Sequence, residues 1–153
     1  MQINKPENTL QNISVGSKEI NAARVAFFLP GFVISTWAPM IPMVKARLNL
    51  EADVLGLLLL CIGISAFIFM PLAGALVQHY GCKKVVIAGA TLMALISVLL
   101  SCLPNILTYA IALAFFGAVM GITDVSMNTN AVIVEKLAGR RLLSGMHAFW
   151  SIG

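Results

Sequence analysis

The sequence predicts an all-α, polytopic transmembrane helix bundle, and three observations predict it. The first is charge placement: Val25 to Val44, Val54 to Cys82 and Val85 to Thr123 contain no Asp, Glu, Lys or Arg. A bilayer core takes about 20 predominantly apolar residues per crossing helix, so each stretch is long enough to cross. The second is composition: 59% of residues are hydrophobic and 10% charged, with a mean hydropathy of +0.94. A soluble domain carries about 25% charged residues, so this chain lacks the polar surface that water requires. The third is length. As one helix, Val85 to Thr123 would reach about 58 Å against a core of about 30 Å. It therefore turns back, and Pro104-Asn105 is the place for the turn. Three uncharged stretches give four crossings.

The net charge of +4 does not indicate nucleic acid, because the basic residues gather on no single face or helix. They stand at the ends of the apolar segments. With the N-terminus cytoplasmic, Lys5, Lys18, Arg24, Lys83, Lys84, Lys136, Arg140 and Arg141 fall inside. Only Lys45 and Arg47 fall outside, beside Glu51 and Asp53. That asymmetry follows the positive-inside rule and sets the expected orientation as N-terminus in. The first apolar segment does not read as a cleaved signal peptide. It is too long for an h-region and ends in Pro39, Pro42 and Lys45 with no small-x-small site. Cys61, Cys82 and Cys102 are odd in number and lack metal-ligand spacing, so neither a disulfide framework nor a metal centre is expected. No cofactor motif is present either: the chain lacks a phosphate-cradling glycine loop and a nucleophile–base pattern. It does not read as an enzyme.

Taken in order, residues 1–22 are polar and aperiodic and are expected to form a disordered cytoplasmic tail. The first helix is expected over 23–44, interrupted at Pro30-Gly31 and narrowed near its outer end by Pro39 and Pro42. A membrane tolerates such prolines where neighbouring helices or water satisfy the freed carbonyls. Trp37 lies toward the outer end, either as an interfacial belt residue or lining a cavity. The second helix is expected over 54–77, with Gly56, Gly63, Ala66 and Ala73-Gly74-Ala75 permitting close helix approach and Pro71 bending it. The inner loop Gln78 to Lys84 is short, so the helices it joins are antiparallel neighbours. The third helix is expected over 85–103, with Gly89, Ala90 and Ala94 on its packing side.

The fourth helix, expected over 106–135, carries the chemistry. Its first half is apolar apart from Thr108 and Tyr109, while its second half holds Thr123, Asp124, Ser126, Asn128, Thr129 and Asn130. Steps of three and four connect Gly117, Gly121, Asp124, Asn128, Ala131 and Glu135 into one stripe. A carboxylate at bilayer-centre depth costs about 2.5–3.5 kcal/mol on insertion scales, so Asp124 should face protein or a water-filled cavity. It is the candidate for proton coupling or solute binding, the alternative being an anchor paired with Lys83, Lys84 or a loop arginine. Asn128 could hydrogen-bond a hydroxylated solute or hold helices together. Glu135 reads as an interface charge beside Lys136, Arg140 and Arg141. After that basic loop, 142–153 reads as the start of a fifth crossing. His147 on it could bind solute or titrate near neutrality, the alternative being a structural hydrogen-bonder.

The segment Gly74-Ala75-Leu76-Val77-Gln78-His79-Tyr80-Gly81-Cys82-Lys83-Lys84 resembles the major facilitator superfamily signature G-x-L-x-D-R-x-G-R-[KR]-[KR]. Gly74, Leu76, Gly81, Lys83 and Lys84 match, and Gly74, Gly81, Lys83 and Lys84 are the candidate gating-loop residues. Gln78 stands at the acidic position, where the family's inter-lobe charge contact would need a carboxylate, and cannot supply it. Trp37 to Pro42, on through Leu48, is similar to the first helix of a bacterial branch related to fucose permease. Gly121, Asp124, Met127-Asn128, Glu135, His147-Ala148, Ser151 and Gly153 are similar to the same branch.

That resemblance implies two six-helix lobes of inverted three-helix repeats around a midplane site open alternately to each side. Over 23–153 the chain is expected to supply part of the N-terminal lobe, truncated within the fifth helix. The implied function is secondary transport of a small polar, sugar-like solute, coupled to protons through Asp124. As a fragment the chain is expected to be inactive alone. Its expected partners are the lipid bilayer, the solute, protons and the remaining C-terminal helices. Its expected place is the bacterial inner membrane. The competing reading is a small four-helix membrane interaction protein or homo-oligomer.

Overall fold

The computed structural model describes residues 16–153. Every regular element in that range is helical: α1 (Ser17–Trp37), a 3-10 turn (Ala38–Met40), α2 (Ile41–Arg47), α3 (Ala52–Tyr80), α4 (Cys82–Cys102), α5 (Ile106–Ala138) and α6 (Leu143–Ile152). Four stretches are long and apolar enough to cross a membrane: Ser17–Arg47, Ala52–Tyr80, Cys82–Cys102 and Ile106–Ala138. The chain is a multi-pass membrane protein. The outward-facing side chains agree with that solvent, since Phe67 is 78% exposed, Leu107 69% and Val98 68%. Water would penalise such a continuous apolar surface, whereas lipid does not.

Helix α5 is the hub. Helices α3 and α4 pack along it, α1 touches it from another side, and α6 lies chiefly on α1. Two apolar cores result. One, at the end carrying α2, gathers Trp37, Met93, Leu100, Tyr109, Leu113 and Phe116. The other, at the end carrying Gly81, gathers Ile20, Phe27, Val86, Met127, Ala131 and Met146.

Three boundaries differ from the sequence reading, each for a physical reason. Residues 17–22, expected in the disordered tail, form the first turns of α1, because Ile20 and Ala23 dock into the second core. The rest of that expected tail, 1–15, lies outside the described residues. Pro30 does not interrupt the first helix; α1 runs through it, and the break falls at the 3-10 turn that contains Pro39. The expected inner loop shrinks to one residue. Helix α3 continues to Tyr80 and α4 starts at Cys82, with Gly81 between them at φ +82° and ψ 149°. A side chain rarely adopts that conformation, so glycine allows the two helices to reverse without a longer connection.

Close helix contact also falls on other glycines than α3's own. The buried face of α3 is Leu58, Ser65, Ala66 and Ala73, and Gly56, Gly63 and Gly74 face open space. The approach is made by α5 instead. A Cβ on Gly121 would fall 2.6 Å from the Ala66 carbonyl oxygen, and one on Gly117 would fall 2.7 Å from Ile62 Cα. Without those two glycines the α3 backbone could not lie against α5.

The helix ends are satisfied locally. Asn105 caps α5 by accepting from the Thr108 N–H at 2.9 Å, so Pro104-Asn105 ends one helix and starts the next. At the same end of the bundle, the Arg47 guanidinium donates to the carbonyls of Ser101 and Leu100, the free C-terminal carbonyls of α4.

Candidate functional site

Asp124 sits half-buried on α5, one turn beyond the Gly117–Gly121 crossing with α3. Asn128 lies one turn further along the same stripe. Its Nδ2 donates to the Asp124 main-chain carbonyl at 2.9 Å and to the carboxylate Oδ1 at 3.4 Å. The amide therefore holds the carboxylate along the helix and leaves its second oxygen for another donor. Flanking this pair, Thr123 and Ser126 are buried and turn their hydroxyls back to the Val119 and Ile122 carbonyls at 2.7 Å. Those two hydroxyls are structural; Asp124 and Asn128 are the polar groups left to act.

The third member comes from α6. His147 projects from that helix onto Phe27 of α1, its ring edge-on to the phenyl with centroids 5.0 Å apart. It lies within electrostatic reach of Asp124. Three elements thus meet here: α1 supplies an apolar wall in Phe27, α5 a carboxylate with its carboxamide, and α6 an imidazole. Beside them, the Arg24 guanidinium stands over the Phe149 ring at 5.5 Å, and Ser35 Oγ donates to the Gly153 carbonyl at 2.6 Å. Both contacts fasten α6 to α1. A carboxylate, a carboxamide and an imidazole can accept and donate hydrogen bonds to a hydroxylated molecule.

The other expected site residues stand apart. Trp37 is buried against Phe116, with ring centroids 5.6 Å apart. Phe116 precedes Asp124 by two helical turns, about 12 Å along the axis, so Trp37 does not join the cluster. It lines a separate cleft of about 580 Å³ between α1 and α4, shared with Thr36, Thr91 and Ser97. Gly74 is exposed on α3, and Gly81 is the hinge residue already described. Lys83 and Lys84 are exposed in the first turn of α4. Cations there oppose the helix dipole, so helix stability does not account for their position.

Two residues of the site were not assigned to it by sequence. Phe27 lay in an apolar run with nothing to distinguish it from its neighbours. Glu135, read as an interface charge, instead accepts hydrogen bonds from the Leu142 and Leu143 amides at 2.6 and 2.7 Å. It caps a helix that starts eight residues later, a pairing that no local cap pattern encodes.

Comparison with known proteins agrees with this architecture. The family model described as Major Facilitator Superfamily matches residues 25–153. An uncharacterized MFS-type transporter of Yersinia pestis is 45% identical over 143 residues, which covers 94% of this chain and 37% of that protein. The membrane protein MosC of Rhizobium meliloti is 31% identical over 156 residues, covering 97% and 38% respectively. An uncharacterized transporter of Sinorhizobium fredii is 36% identical over 127 residues, covering 83% and 34%. The chain thus spans just over a third of the length of these relatives. No solved structure matches it. By the match over residues 25–153 and by its kinship with these proteins, the chain belongs to the major facilitator superfamily.

Proposed function

We propose that this chain is the N-terminal portion of a secondary transporter for a small polar solute, sugar-like in its hydroxyl content and driven by protons through Asp124. The observation that carries the reading is the half-buried Asp124 carboxylate, held by Asn128 within a helix that otherwise runs apolar or hydroxylic to this depth. An ionisable group retained in a crossing helix marks a pathway for ions or substrate. His147 on α6 serves as second polar partner, and Asn128 as a hydrogen-bonding contact for a hydroxyl. The pattern of Trp37 to Pro42 with Asp124, Asn128 and His147 favours the branch related to fucose permease. Trp37 lies away from the polar cluster, so we place it as a wall of the α1–α4 cleft rather than as a solute ligand. Residence in a bacterial inner membrane with a cytoplasmic N-terminus belongs to the same proposal.

Alternating access needs two lobes moving against each other around a midplane site. The relatives are nearly three times the length matched here, so transport is assigned to an assembly of this chain with the helices those relatives add. The test is uptake into proteoliposomes under an inward proton gradient, with a panel of neutral sugars and polyols. The chain alone is compared with a chimera carrying the remaining two thirds of the Yersinia pestis relative. Gradient-driven uptake by the chimera, absent from the chain alone and abolished by Asp124→Asn, is expected. Uptake by the isolated chain, or chimera uptake indifferent to Asp124→Asn, contradicts the proposal.

A further inference from the structure

Helix α6 begins at Leu143 without a side-chain cap of its own. Its N-cap position is Leu142, at φ −125° and ψ −20°, which offers no side-chain acceptor for the free amides of the first turn. The acceptor arrives from the preceding helix. Gly139 ends α5 in the left-handed conformation at φ 63°, and the chain folds back so that the Leu142 and Leu143 amides meet Glu135 Oε2 at 2.6 and 2.7 Å. Both bonds are short and charge-assisted, and the carboxylate lies at the positive end of the α6 dipole. From that clamp α6 runs along α1. Met146 enters the core beside Phe27, and His147 meets the Phe27 ring.

The geometry points to Glu135 as a positioning residue for the transport reaction proposed above: by clamping the α6 N-terminus to α5, it sets where His147 stands relative to Phe27 and Asp124. Its functional weight rests on that reading of Asp124; the placement it asserts does not. Glu135 is not the interface charge that its basic neighbours Lys136, Arg140 and Arg141 suggest. It acts through hydrogen-bond acceptance, and that distinction makes the inference testable.

The probe is the carbon–proton correlation spectrum of the His147 ring, recorded on the 153-residue chain in nanodiscs with His79→Gln removing the other histidine. The ring current of a phenyl at 5.0 Å displaces the ring protons of its neighbour, so Phe27→Leu defines the full displacement. Glu135→Ala is expected to shift the His147 signals most of the way to the Phe27→Leu position. Glu135→Gln keeps an acceptor without the charge and is expected to leave them near their original place. If Glu135→Ala yields no folded protein, Glu135→Asp is read instead. Its carboxylate is one methylene short of the amides, and it is expected to shift the signals in the same direction. Unmoved His147 signals in Glu135→Ala or its substitute overturn the inference, as does a Glu135→Gln shift as large as that of Glu135→Ala. Neither result depends on transport. A failed Asp124→Asn uptake experiment would remove the coupling role while leaving this placement measurable.

Discussion

The Asn128 side chain reaches back one helical turn to Asp124, bonding its carbonyl at 2.9 Å and its carboxylate at 3.4 Å. A carboxamide so placed orients the carboxylate in both its charged and its protonated form. Loss of one such hydrogen bond is worth about 1 kcal/mol, roughly five-fold in an equilibrium constant. In the chimera, Asn128→Ala is therefore expected to raise KM about five-fold while gradient-driven uptake survives. Asp124→Asn is expected to remove the gradient dependence itself. Uptake kinetics across a series of imposed gradients separate the two effects.

Stability should divide the glycines into two classes. Gly121 has the Ala66 carbonyl of α3 against it, so Gly121→Val forces α3 and α5 apart. Overpacking of this kind costs about 1–3 kcal/mol. Gly63 faces open space, and Gly63→Ala is expected to leave stability unchanged or raise it by about 0.5–1 kcal/mol through helix propensity. Thermal unfolding of the detergent-solubilised variants, followed by circular dichroism, checks the contrast. Equal behaviour of the two variants would mean that α3 and α5 do not cross at Gly121.

Gly81 makes a backbone prediction independent of packing. No side chain crowds it, yet its φ of +82° with ψ 149° is nearly closed to any residue bearing a Cβ. Gly81→Ala is expected to cost about 1–3 kcal/mol in the same unfolding assay, by strain alone. Gly74→Ala, seven residues earlier in α3 with open space around it, is the control and is expected, like Gly63→Ala, to leave stability unchanged or slightly raised.

The turn between α4 and α5 tests the capping account. Asn105→Ala leaves the Thr108 amide without its acceptor and is expected to cost about 1 kcal/mol. Asn105→Ser, which retains a capping oxygen, is expected to recover most of that loss. A Ser variant no better than Ala would show that the cap contributes nothing to the turn.

The parts of this fold legible in the sequence are those that one local property decides. Absence of charge marked the crossing stretches, because lipid punishes a charge wherever the helix packs. Pro104-Asn105 marked a turn, because both residues restrict the backbone or cap it locally. The Gly117–Gly121–Asp124–Asn128 stripe followed from the helical period, and the structure keeps Asp124 and Asn128 together with Gly121 as the contact point. What was not legible depends on partners distant in sequence. Ser17 to Ala22 looks polar, and only docking of Ile20 against residues such as Met127 and Met146 makes it helical. Glycines on α3 looked like contact residues, but which face of α3 is used depends on where α5 lies. Glu135 looked like an interface charge beside its basic neighbours until the backbone of Leu142 and Leu143 returned to it.

The central claim is that four helices cross a bilayer, with Lys83-Lys84 and Arg140-Arg141 together on the cytoplasmic side. Single cysteines placed at Lys84, Arg140 and Lys45, with the native cysteines replaced, are labelled in intact cells by a membrane-impermeant maleimide. The account predicts labelling of Lys45→Cys from outside, with Lys84→Cys and Arg140→Cys labelled only after the membrane is breached. Labelling of Lys84→Cys and Arg140→Cys from opposite faces would contradict it.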